Sequence, residues 1–277
     1  MESEFEYLII GAGISGAVVS HFLHQAGIKH LILEKSKGLG GRIASRRIGD
    51  SSFDHGVSEF SLDPEGKAIF EKIFNSQDYT LVGNQVRFKT PATNSIKRVL
   101  AGREIKKEAK VIRITKNDLF NVELESGEVL KAKNIVITAP APQTLELANS
   151  FLSEQSIKSL KQVRYTKRII LFSSLSMKMK MMDDLFSELN FEKTDQEILS
   201  LSGAEGFDSV KKWRYEKVIS GIPQDFISEN GIHVIGDMFQ GSQSTGVQAA
   251  VKSAERFLRK SFSPELAMLL DPVTNKE

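Results

Sequence analysis

The 277-residue sequence contains no cysteine. That excludes disulfides, thiolate metal sites, cysteine nucleophiles, a redox-active cysteine pair and a cysteinyl link to a cofactor, and it fits a reducing compartment. Charge imbalance is missing too. Lys+Arg 37 against Asp+Glu 35 leaves a formal +2, so no global field draws the chain to nucleic acid, and any basic tract needs a local explanation. A long apolar run is also lacking, because the stretch from Tyr7 to Leu23 is interrupted by glycines, serines and His21. The start, MESEFEYLIIGAG, is acidic and lacks a signal peptide's basic head and small-residue cleavage site. The expectation is a soluble, cytoplasmic protein that binds neither nucleic acid nor membrane. Hydrophobic residues at 40% and charged residues at 26% suit one large domain or two interleaved ones.

What is present begins with FEYLII at Phe5–Ile10, a short apolar, β-branched run that predicts a buried strand. Gly11-Ala12-Gly13-Ile14-Ser15-Gly16 follows at once. Ile14, Val18, Phe22 and Ala26 then recur at four-residue spacing, with Gly27 as a stop, and predict a helix over 14–26. HLILE at 30–34 predicts a second buried strand ending in an acid. Strand, G-x-G-x-x-G, helix, strand, acid is the order of a dinucleotide site. Gly11 permits the tight turn, Gly13 lets backbone reach a pyrophosphate, and Gly16 lets helix pack on strand. The helix start at Ile14 and Ser15 favours an anion. Glu34, with Lys35 beside it, closes the second strand roughly twenty positions after Gly11, where a carboxylate accepts both ribose hydroxyls and repels a 2′-phosphate. His21 and His24 lie within the helical pattern and suit surface or structural roles.

Next comes KGLGGRIASRR at 37–47. It suits either a basic patch or a second phosphate-holding loop, and a simple NAD domain requires no Gly-Gly-Arg here. The run Gly11–Arg47 resembles the amine-oxidase-like superfamily of FAD enzymes. GGRIASRR followed by FDHGVSEF at 53–60 looks most like its renalase branch. The resemblance implies that Gly40, Gly41 and Arg42 wrap the diphosphate, while Arg46 and Arg47 either close over cofactor and substrate or face water. His55 reads from the residues alone as a possible base. The family motif instead puts it beside the flavin, where it positions.

Ala109–Thr115 and Phe120–Leu124 alternate, Ser126-Gly127 turns, and Val129–Lys133 follows, which predicts an antiparallel meander. NIVIT at 134–138 predicts a further buried strand ahead of APAP. By resemblance Val111 brings its backbone to the adenine; otherwise it is a plain strand valine. Downstream, RIILFSSL at 168–175 predicts a strand. MKMKMMDD at 177–184 suits a hairpin with a methionine-rich inner face better than an adaptable pocket. Trp213, the only tryptophan, and Tyr215 fall in a WRY triplet that the renalase-like pattern puts at the substrate face, where aromatics stack on a planar substrate. A core tryptophan is the competing reading. The intervals 61–81 and 176–212 are short for that family, so the resemblance covers the FAD-binding part and only patches of the substrate part.

GIHVIGDMF at 231–239, a polar loop to Gly246, and an amphipathic run from Val247 to Phe262 match the closing motif of this flavoprotein fold. By that resemblance Gly236 and Asp237 meet the ribityl chain, and Gly246 and Val247 open a helix toward the flavin N1–C2 edge. Asp237 taken alone is equally a turn or N-cap acid. The expected fold class is α/β: a Rossmann-like FAD-binding domain of the two-dinucleotide-binding type (1–62, 104–145 and 225–263) with a shortened α+β substrate domain (63–103 and 146–224) and a tail at 264–277 that reads as trimming or disorder. The expected function is hydride transfer from a small organic donor, dihydronicotinamide-type or amine, to non-covalent FAD, with oxygen or another acceptor. A degenerate flavin-binding protein is the alternative. No general base and no metal site is nominated, and the expected state is a monomer or homodimer.

Overall fold

A strand buried on both faces reads as a continuous apolar run, and the first strand does so. The computed structural model describes residues 4–241 and 244–271. Strand β1 (Glu4–Ile10), helix α1 (Ile14–Gln25) and strand β2 (His30–Glu34) make a parallel unit, with Tyr7–Ile10 in register with His30–Leu33. A hairpin of β3 (Ser45–Ile48) and β4 (Ser51–Asp54) follows. A small layer comes next: β5 (Glu59–Ser61), α2 (Pro64–Ile73), β6 (Tyr79–Val82), β7 (Gln85–Phe88) and α3 (Thr93–Val99). Then β8 (Ile105–Lys107) adds to β2, and β9 (Val111–Lys116), β10 (Phe120–Leu124) and β11 (Val129–Ile137) form the meander.

β11 is one strand where the sequence suggests two. Its first half pairs antiparallel with β10 and its second half parallel with β1, so a change of partner, without a break in the backbone, separates the halves. Helices α4 (Ala141–Ala148) and α5 (Glu154–Lys161) lead to β12 (Arg164–Tyr165) and β13 (Arg168–Ser173). The chain continues through β14 (Lys178–Met181), α6 (Asp184–Asn190), α7 (Asp195–Leu201), β15 (Ser209–Trp213) and β16 (Val218–Ser220). It returns with β17 (Ile227–Glu229), β18 (Ile232–Val234), α8 (Gly246–Ser261) and α9 (Pro264–Ala267).

The large sheet runs β17-β18-β11-β1-β2-β8, parallel from β18 to β8, so the mixed α/β, Rossmann-like expectation is met. Period-two alternation sorts its side chains between two cores. Ile9, Ile32 and Val136 join α1 and α8 on one face. Leu8, Ile10, Leu31, Leu33, Ile135 and Ile137 join the meander, α4 and α5 on the other. Residues 63–103, expected with the substrate part, bury Phe70, Tyr79, Phe88 and Ile96 in the α1/α8 core, and Phe70 stacks on Phe74 at 4.3 Å. By packing, that segment adjoins the dinucleotide half.

A second, three-stranded sheet has the order β14-β13-β15. One face carries Ile169, Leu171 and Val210 against α6 and α7; the other carries Ile170, Phe172 and Trp213 toward the β3–β4 hairpin. The methionine-rich inner face is corrected here. Met179 and Met181 pair with Phe172 and Ile170 and so share one face, but only Met179 packs into it; Met177 and Met181 are exposed, and Met182, past the strand end, is buried. The tail is also corrected over its first part. Leu270 is buried in the main core, and Lys72 donates to the carbonyls of Leu269 and Asp271, so 264–271 seals α2 against α8. Residues 272–277 lie outside the described residues.

Candidate functional site

The strand order reverses between β1 and β11, and a cleft of about 1570 Å³ opens at the carboxyl ends of β1, β2, β11 and β18. Open α/β sheets bind ligands at this switch point. Gly16 does not line the cleft. A side chain there would collide with the Gly11 carbonyl, so it sets how closely α1 packs on β1, and the helix start is aimed accordingly. Gly13 caps α1 without a side-chain hydrogen bond, which leaves the first-turn N–H groups at Ile14 and Ser15 facing the cleft. The Ser15 hydroxyl donates to Ala250 O at 3.1 Å, tying α1 to α8.

The second loop meets the first through backbone. Gly40 N–H donates to Ala12 O at 2.9 Å, and a Cβ on Gly41 would lie 3.1 Å from the Gly13 Cα. Gly40 and Gly41 both have positive φ, at 110° and 57°, so the wall is built from residues with no side chain to intrude. FDHGVSEF straps this wall from behind. Val57 N–H donates to Arg42 O at 2.7 Å, Gly56 N–H to Ala44 O at 3.1 Å, and a side chain on Gly56 would strike the Arg42 carbonyl. Ser45, Asp54 and Thr93 then knit the hairpin to α3 through the Ser45 hydroxyl, which donates to Asp54 at 2.5 Å and accepts from Thr93 N–H at 3.1 Å.

Glu34 is buried at the end of β2, and its carboxylate accepts Ala12 N–H at 3.0 Å and Ser36 N–H at 2.8 Å. It therefore shapes the glycine loop as well as facing the cleft. Lys35 reaches Gln143 of α4 at 3.4 Å, and Val111 lines the same end of the cleft. At the other end, Gly236 and Asp237 follow β18, and Gly246 and Val247 start α8, whose N-cap Thr245 also makes no side-chain cap. Two uncapped helix starts thus open on one cleft. Ser242 and Gln243 of the intervening loop lie outside the described residues.

Arg42 and Asp237, 195 positions apart, form a bidentate pair at 2.5 and 2.6 Å. Expected separately from the sequence, the two are joined here: the guanidinium links the second loop to the β18–α8 turn. Burial opposes the charge on Arg42, but the Asp237 carboxylate outweighs it and raises the guanidinium pKa. Tyr165, which sequence reasoning passed over, stands beside this pair. Its hydroxyl accepts Ala141 N–H at 2.9 Å at the start of α4, and burial pushes its pKa to about 12. Nothing local in VRY signals this role, because the partners come from distant segments.

His55, Trp213 and Tyr215 line the cleft as well. Trp213 Nε1–H donates to His55 O at 3.1 Å, and the two rings lie 5.6 Å apart. Burial, with Lys211 and Arg46 adding, lowers the His55 pKa to about 4, so the imidazole is neutral near pH 7. Its buried Nδ1 has no hydrogen-bond partner among the described residues. Tyr215 packs edge-on to Tyr165 at 5.1 Å. Arg46 turns onto the Phe172 ring at 4.5 Å, while Arg47 lines the cleft and donates to Gly49 O at 3.2 Å.

Residues 9–73 match the family model of the NAD(P)-binding Rossmann-like domain. The segment is a Rossmann-like dinucleotide unit. Among curated relatives, the FAD-dependent monooxygenase paxM of Penicillium paxilli is 49% identical over 35 residues, 13% of this chain and 7% of that protein. The UDP-galactopyranose mutase of Mycoplasma pneumoniae is 51% identical over 39 residues, 14% and 10% of the two chains. These matches therefore span a small part of either relative. Among solved structures, a CLA-producing fatty acid isomerase from P. acnes matches with a TM-score of 0.64 at 10% identity, over 94% of this chain and 99% of that one. A putrescine oxidase A394C mutant, from a redesign of cofactor binding, gives the same TM-score, identity and coverage. At such identity the likeness is one of fold. No helix among the described residues is long and apolar enough to cross a membrane.

Proposed function

We propose that this chain is an FAD-dependent oxidoreductase that takes a hydride from a small organic donor, dihydronicotinamide-type or amine, and passes the electrons to oxygen or another acceptor. The observation that carries the proposal is the doubled wall. The Gly40 N–H to Ala12 O bond and the Gly13–Gly41 approach bring two glycine loops together at one end of the cleft, which an NAD site alone does not require. The residues fit the group: a carboxylate at Glu34 for the ribose, glycine backbone for the diphosphate, and the α8 start for the ring end. The relative named as FAD-dependent, and the fold shared with putrescine oxidase, support the same assignment.

The chemistry that a bound flavin supplies is two-electron acceptance, so few side chains need react. The protein's share is positional. Glu34 and the glycine loops would hold the adenosine end, the N–H groups at Gly246 and Val247 would favour negative charge at the ring end, and Arg42–Asp237 ties the second glycine loop to the β18–α8 turn. His55, neutral and fixed through Trp213, presents an apolar stack to the donor and acts as a positioning residue. GGRIASRR with FDHGVSEF supports the renalase-like placement within this class.

The short segments around β13–β15 favour a second reading, flavin binding without turnover. Anaerobic mixing of the FAD-loaded chain with dihydronicotinamide and amine donors separates the two. Bleaching of the flavin band by one donor class is expected, and a band that no donor bleaches supports binding alone.

A further inference from the structure

The wall of the cleft away from the glycine loops is lined by His55, Lys211 and Trp213, and their stack continues off the lining to buried Phe172 and to Arg46. Arg46 lies over Phe172 at 4.5 Å, His55 stands 5.6 Å from both Phe172 and Trp213, and Lys211 lies over Trp213 at 4.8 Å. The strand period explains the arrangement: Lys211 and Trp213 alternate onto one face of β15, the face that β13 shares through Phe172. Cations on aromatic faces retain their charge for a further partner. Among the described residues neither Arg46 nor Lys211 has a carboxylate in ion-pair contact, and the two acids near the stack, Asp54 and Asp208, are held by other hydrogen bonds. Asp54 accepts from Ser45, Thr90 and Ala92, and Asp208 accepts from Ser174. Lys35 adds a third positive charge, and burial together with Lys35 and Arg46 lowers the Lys211 pKa, which places the three cations in one field.

We infer that this wall is an anion-selective subsite: it stacks a planar ring against Trp213 beside His55 and holds an anionic substituent of that ring, such as a carboxylate, at Lys211, with Lys35 and Arg46 adding to the positive field. A cationic amine is repelled by the same field. The inference deepens the proposed function by choosing the charge of the substrate, and it rests on that reading only for the chemistry that follows binding.

Trp213, the only tryptophan, supplies the readout. The full chain, its flavin content first measured by visible absorbance, is titrated with benzoate, benzamide and benzylamine by tryptophan fluorescence and by calorimetry. Benzoate is expected to bind at least about tenfold more tightly than benzamide, with benzylamine weakest. Lys211→Gln is expected to remove most of that preference while benzamide affinity stays within about twofold, as for loss of one partly exposed charge contact. Equal affinity for the three, tightest binding of benzylamine, no benzoate binding by either method, or an undiminished preference in a Lys211→Gln/Arg46→Gln double variant overturns the inference. A colourless chain that still prefers benzoate overturns the flavin reading and leaves the subsite standing; a yellow chain without preference does the reverse.

Discussion

The two walls of the cleft are built in different ways. The wall at Gly11–Gly16 and Gly40–Gly56 is made by backbone touching backbone, and three of its contacts leave no room for a Cβ. The wall on β13 and β15 is made by side chains, a cation and ring stack over a three-stranded sheet. A backbone wall admits one ligand shape and tolerates almost no substitution. A side-chain wall is open to change residue by residue, which suits the part of a site that selects substrates. On the proposed function, cofactor binding falls to the first wall and choice of substrate to the second.

Breaking the backbone wall has the largest expected effect. Gly16→Val drives a side chain into the Gly11 carbonyl and should destabilise the chain by more than about 4 kcal/mol in urea unfolding, with no folded fraction left to bind FAD. Glu34→Ala leaves the Ala12 and Ser36 N–H groups without their carboxylate. It should weaken FAD, measured by equilibrium dialysis, by roughly thirtyfold, about 2 kcal/mol, with the fold intact. On the side-chain wall, Trp213→Leu should leave flavin content unchanged and raise KM for the donor by about tenfold in steady-state assays, because stacking is lost while the cofactor end is untouched. If Trp213→Leu instead strips the flavin, the division between the walls fails.

The smallest effect concerns pH. Burial lowers His21, His55 and His233 to about 4, from an ordinary value of 6.5. Between these values the unfolded chain binds more protons than the folded one, so stability should be full above pH 6.5 and decline as pH falls toward 4. Thermal melts of His55→Gln should show a shallower decline than the parent over that window and little difference at pH 7.

These contrasts also explain what was legible in the sequence. The β1–α1–β2 unit could be read because strands buried on both faces are continuously apolar, and a close backbone approach demands glycine at fixed spacing. Which residues meet across the cleft could not be read. Arg42 and Asp237 are 195 positions apart, and only the sheet order brings them together. Tyr165 is invisible for the same reason. Local pattern misled in two places. MKMKMM promised an apolar face, but of Met179 and Met181, which share one face of β14, only Met179 is covered. The segment after Phe262 is too short for a periodic signal, yet Leu270 fills a gap left by α2 and α8. Packing decided both.

The central claim is that the doubled glycine wall holds FAD, and the visible spectrum of the full chain tests it most directly. After incubation with equal FAD and NAD and removal of free ligand, the account predicts a retained flavin band at one flavin per chain, lost in Glu34→Ala. A colourless chain that retains NAD instead would contradict it.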